Sequence, residues 1–140
     1  MRLVAELDPE VRELFEGANF AHLATTLPNG GPHTVPIWAG VEDGRIVFFT
    51  QESSRKARNL ARDPRIAISV VDLEQPYRSA WVRGRIVATR EGEAALEVID
   101  RISHKYTGAP FPMRNGTVYE IEPERQRFVD LPFTHSPAKS

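Results

Sequence analysis

The chain of 140 residues contains no cysteine, which excludes disulfides, thiolate nucleophiles and cysteine-ligated metals. It has no apolar run near the roughly 20 residues that a membrane-spanning helix needs. The opening Met1-Arg2-Leu3-Val4-Ala5-Glu6 is too short and too acidic for a secretory signal. An excess of one charge is also missing. Eighteen basic and nineteen acidic side chains give a net charge of −1, whereas a general nucleic-acid or anionic-membrane binder carries a basic surplus. We therefore expect a cytoplasmic protein with no membrane or nucleic-acid partner, in which any positive site is local.

What is present, 41% hydrophobic and 26% charged residues, fits one globular domain. We expect it over residues 1–131, with residues 132–140 as a C-terminal tail. Nine glycines and eleven prolines point to tight connections between short elements. Asp8 as N-cap and Pro9 at the first helical position open a short helix with Val11, Leu14 and Phe15 on one stripe, ending at Gly17. The period then changes to two. Phe20 to Leu27 and Pro32 to Ala39 read as strands around an Asn29-Gly30 turn, and Arg45 to Thr50 as a third, the three forming a meander. Pro36 cannot donate to a ladder, so its strand lies at an edge or carries a bulge.

Ser53 or Ser54 caps a helix over Arg55 to Arg62, which Asp63-Pro64 ends. Strands follow over Arg65 to Val71 and from Arg78 to about Thr89. On the latter, Ala80, Val82, Gly84, Ile86 and Ala88 face inward, while Trp81, Arg83 and Arg85 meet something polar. Glu91 to Tyr106 carries a helical stripe of Ala95, Val98, Ile99, Ile102 and Tyr106. Thr117 to Glu122 and Gln126 to Leu131 read as two strands parted by Pro123-Glu124. Short strands with a few helices predict a mainly β protein, a small antiparallel barrel with peripheral helices.

The most informative stretch runs from Val47 to Leu60. It brings the hydroxyls of Thr50, Ser53 and Ser54 to a helix start whose first turn holds Arg55 and Lys56. Cations there oppose the helix dipole, by about 0.3–1 kcal/mol each, unless an anion binds. Two readings stand side by side: a phosphate cradle, or the solvated face of a surface helix. Trp38 and Trp81 likewise read either as core fillers or as contacts to a planar ring. Tyr106 ends an apolar stripe and reads as core. His22, His33, His104 and His135 show no metal-ligand spacing, so no metal is expected. Ser53-Ser54 lacks a Gly-x-Ser-x-Gly elbow.

Phe48-Phe49-Thr50 followed by Ser54-Arg55-Lys56 resembles the flavin-phosphate segment of pyridoxamine-5′-phosphate-oxidase-like split-barrel proteins. Ala24-Thr25-Thr26, Gly30-Gly31-Pro32-His33 and Val35-Pro36-Ile37-Trp38 resemble the family's first hairpin. The segments Lys56 to Ala67, Tyr77 to Gly84, Lys105 to Gly108 and Val118 to Pro123 are similar to its actinobacterial deazaflavin branch, and the likeness reaches over roughly residues 10–130. The resemblance implies a six- to seven-stranded antiparallel split β-barrel of the FMN-binding type. It further implies a homodimer with cofactor sites at the interface, holding coenzyme F-420 or, alternatively, FMN. Pro36, Ile37 and Trp38 would line the ring system. Thr50, Ser54, Arg55 and Lys56 would hold the phosphate, and Trp81 and Arg83 would reach the site from their strand.

One departure bears on activity. Oxidases of vitamin B6 resemble one another in a C-terminal segment with tryptophan and an Arg-Leu-x-Pro run, and here no tryptophan follows Trp81. We therefore expect a hydride-transferring oxidoreductase acting on a small planar unsaturated substrate, and disfavour pyridoxamine-phosphate oxidation. A carrier or sensor that binds the cofactor without turnover is the alternative. No catalytic side chain is assigned, because the cofactor supplies the chemistry; the accompanying proton would come from solvent, Tyr106 or a histidine. A barrel stacking single-stranded nucleic acid on Trp38 and Trp81 is disfavoured by the net charge.

Overall fold

Strand alternation and three amphipathic helices organise the chain as α1 Pro9–Glu16, β1 Ala21–Thr26, β2 Pro32–Ile37, β3 Gly40–Glu42, β4 Arg45–Thr50, α2 Arg55–Arg62, β5 Arg65–Val71, β6 Arg78–Arg90, α3 Gly92–Thr107 and β7 Thr117–Asp130. This is the arrangement in a computed structural model, which describes residues 5–139. The strands form one antiparallel sheet in the order β2-β1-β5-β6-β7-β4-β3. Its two outermost strands, β2 and β3, are joined only by Trp38 and Ala39. Three Cα steps span at most about 11 Å, so the sheet must curl until its edges meet, as a barrel. No helix among the described residues is long and apolar enough to cross a membrane.

The sheet order corrects the expected meander. β1 pairs with β2 and β3 with β4, but β2 and β4 lie at opposite ends of the sheet. The Trp38-Ala39 step ends the second strand two residues early and sends the chain to the other edge. Pro36 does lie on an edge strand, paired with His22 across β1. The second correction concerns the C-terminal strands. Residues 117–130 are one continuous strand, because a bulge leaves Glu124 unpaired between the Arg83–Arg125 and Gly84–Pro123 pairs and so absorbs the proline. Gly84 is required there. A Cβ on it would lie 2.1 Å from the Glu122 carbonyl oxygen.

Two cores result. The barrel interior holds Leu23, Ile37, Ile46, Phe48, Ile68 and Val82, closed off by Val11, Leu14 and Phe15 of α1 and by Ala57 and Leu60 of α2. The second core lies where α3 covers β4 and β7, with Ala95, Val98, Ile99 and Ile102 against Val47 and Val118. Helix starts follow expectation in position but not in every bond. Asp8 makes no side-chain cap, whereas the Ser54 hydroxyl accepts from the Ala57 amide at 3.1 Å.

Candidate functional site

Because α3 covers β4 and the first half of β7, the outer faces of β1, β2, β5, β6 and the second half of β7 are left without a covering helix. Strand register dictates which side chains share that bare face, since directly paired residues point to the same side. One row across it reads Pro36, His22, Ser69, Trp81, Arg127, and the next reads Thr34, Ala24, Ala67, Arg83, Arg125. His22 and Ser69 therefore lie between Pro36 and Trp81, and the small Ala24 and Ala67 floor the neighbouring row between Thr34 and Arg83. The Arg83 guanidinium lies over the Trp81 ring at 4.6 Å, which pre-orders both. A groove of about 480 Å³ runs along this face, lined by Ala24, Thr26, Arg65, Ala67, Arg83 and Glu124 among others.

The start of α2 forms a second group. Thr50, at the end of β4, donates to the Ser54 hydroxyl at 2.9 Å, and Ser54 caps the helix. The first turn holds no acidic residue. Arg55 is exposed, whereas Lys56 is half-buried, and that burial pulls its ammonium below the usual lysine range. Among the described residues Lys56 has neither an ion pair nor a hydrogen-bond partner. Further along, Asn59 is fully buried and donates to the Thr25 hydroxyl at 3.0 Å, while its Oδ1 has no partner among the described residues. Arg62 donates to the Thr26 carbonyl. Asn59 and Arg62 thus tie α2 to β1, a link that sequence spacing alone does not reveal.

The remaining expected residues lie apart from both groups. Ile37 points into the barrel core. Trp38 stacks on Tyr106 at 5.2 Å and 6° and is edge-packed by Phe49 and Phe111, so its ring belongs to the cluster under α3. Tyr106 itself is committed: its hydroxyl donates to the Asn19 carbonyl and accepts from the Ala39 amide at 3.2 Å. Of the expected site residues, only Arg83 lines the 480 Å³ groove. Pro36 and Trp81 share a row but stand three strands apart, about 14 Å. Within one chain the expected residues therefore fall into separate groups rather than one closed pocket.

A seven-stranded antiparallel sheet curled on itself, its edges joined by a two-residue crossover and its outer face half covered by one helix, defines a split β-barrel. The pyridoxamine 5′-phosphate oxidase family profile matches residues 7–130, and the chain belongs to that family. A pyridoxine/pyridoxamine 5′-phosphate oxidase of Bacteroides thetaiotaomicron is 40% identical over 105 residues, which are 74% of this chain and 44% of the relative. The chain thus spans less than half the length of that curated relative. Among solved structures, an F420 reductase superposes with a TM-score of 0.75 at 22% identity, covering 86% of this chain and 98% of its own. A conserved hypothetical protein of Mycobacterium tuberculosis superposes at 0.76 and 25% identity, covering 96% and 94%.

Proposed function

We propose that the chain is an oxidoreductase that binds a deazaflavin, coenzyme F-420, with FMN as the alternative, and passes a hydride between it and a small planar unsaturated substrate. The observation that carries this reading is Lys56. A half-buried ammonium without a counter-charge among the described residues, in a helix turn without a carboxylate, is suited to receive an anion. Thr50, Ser54, Arg55 and Lys56 would hold the cofactor phosphate there, as the family resemblance implies. Trp81, ordered by Arg83, and Pro36 offer flat surfaces to a ring, and a second copy of the chain would bring the half-sites together at a dimer interface. Trp38 and Ile37 would act from behind, by shaping the strand that carries Pro36. When bound, the cofactor supplies the hydride chemistry; the chain's residues bind it, orient it and exclude water.

Titrating the protein with F-420 and with FMN, followed by absorbance, tests the reading. We expect F-420 to bind more tightly. Stoichiometric FMN retained through purification would reverse the choice. Lys56→Ala is expected to weaken binding by roughly one to two powers of ten, the worth of a charge-assisted hydrogen bond. Ligand-free stability should stay unchanged or rise, because a dipole-opposed cation is removed. A destabilised protein with intact binding would make Lys56 structural and overturn the cradle. Turnover with reduced cofactor separates an enzyme from a carrier or sensor. The 40% identity to a pyridoxine/pyridoxamine 5′-phosphate oxidase favours a second reading, which oxidation of pyridoxamine phosphate by this protein would establish.

A further inference from the structure

Two of the four asparagines precede glycine, in Asn29-Gly30 and Asn115-Gly116; the others, Asn19 and Asn59, precede Phe20 and Leu60. An asparagine before glycine can lose its side-chain amide, because without a Cβ the glycine nitrogen reaches the preceding carboxamide carbon. That attack needs a backbone N–H free of other bonds, a side chain free to turn, and water. Both asparagines are exposed, but the fold separates them on the first two counts. In the β1–β2 turn the Gly30 amide donates to the Leu27 carbonyl at 2.9 Å, and Asn29 Oδ1 accepts from the Gly31 amide at 2.9 Å. Nucleophile and target are both held. Asn115-Gly116 lies between Arg114, which donates to the Asp100 carboxylate at 2.8 Å, and the first residue of β7. Neither the Gly116 N–H nor the Asn115 side chain has a hydrogen bond among the described residues. The step opens on a hollow of about 430 Å³ that Glu52, Ser53 and Glu91 also line, away from the bare face of β5 and β6.

We propose that Asn115 is a site of spontaneous deamidation and that the turn protects Asn29 from the same reaction. The Gly116 nitrogen bonds to Asn115 Cγ and gives its proton to solvent; the Cγ–Nδ2 bond breaks and ammonia leaves, taking up a proton. Water then opens the cyclic imide at either carbonyl, leaving aspartate or isoaspartate. Amide and water become carboxylate and ammonium, with no oxidant, reductant or enzyme required. The new carboxylate joins Glu52 and Glu91 around the hollow. The isoaspartyl form also lengthens the main chain by one carbon just before Thr117, which pairs with Thr50. The modification does not depend on which cofactor the chain binds.

Ageing the full-length protein near neutral pH in heavy-oxygen water, then digesting it in acid for mass spectrometry, tests the proposal. The heavy oxygen should enter the peptide holding Asn115 roughly tenfold or more faster than the peptide holding Asn29, where the turn's hydrogen bonds must break first. In guanidinium chloride, where the turn is lost, the two rates should converge. Asn115→Gln changes only an exposed side chain; it should fold as wild type does and lose the more acidic species that ageing produces on ion exchange. Equal rates in the folded protein would overturn the proposal. So would an Asn115 that stays intact when folded yet reacts in denaturant, or a rate difference that survives denaturation and so belongs to the sequence rather than the fold.

Discussion

Lys56 and Lys105 are two half-buried ammonium groups with opposite surroundings. Lys56 has no partner among the described residues, whereas Lys105 donates to the carbonyls of Phe15 and Ala39 and lies 4.9 Å over the Tyr106 ring. Burial nevertheless lowers Lys105 from 10.5 to about 8, opposed only by Glu16. Glu42 and Arg101 line the same hollow but satisfy each other. Between pH 8 and about 10.5 the unfolded chain keeps a proton that the folded chain has lost, so stability rises with pH across that window. Wild type should therefore gain stability from about pH 8 to about pH 10 more steeply than Lys105→Met, measured by denaturant unfolding at each pH. Equal slopes would refute this explanation. The cations at α2 are legible in sequence because they break the dipole rule. The role of Lys105 is not, since its acceptors lie 66 and 90 residues away.

At the scale of the element, the long β6–β7 ribbon depends on a local irregularity. Pro123 lacks an N–H and Glu124 has no cross-strand partner, yet the strand continues because Gly84 lets the opposing backbone pass close by. Gly84→Ala should destabilise the protein by more than about 2 kcal/mol, since the obstructing atom is backbone that cannot turn aside. Urea unfolding that shows a loss below about 0.5 kcal/mol would contradict the bulge geometry. Helices are easy to foresee: Ser54, Asp63-Pro64 and the Ala95–Tyr106 stripe act within one or two turns of themselves. The proline misleads for the same reason. Its local effect is to end a strand, and only the glycine 39 residues earlier in the chain cancels that effect.

For the molecule as a whole, the division of the outer surface matters most. One half is covered by α3; the other presents Trp81, Arg83 and their neighbours without cover. We expect the protein of 15.8 kDa to sediment as a species of about twice that mass at micromolar concentration. Persistence as a monomer would leave Pro36 and Trp81 unable to meet a common ring. Strand identity and facing are readable from alternation, as Ala80, Val82 and Gly84 show. Sheet order is not, because a two-residue crossover looks in sequence like an ordinary hairpin connection.

That crossover has a mechanical meaning. Ala39 is gripped by its amide and its carbonyl, both through the last turns of α3, and the same side chains reach back to Phe15 and Asn19 at the end of α1. The two free edges of the sheet therefore share one hinge, and that hinge is latched from outside the sheet. Tyr106 and Lys105 thus pin both borders of the sheet at a single seam, and a substitution that removes either contact would loosen the two borders together.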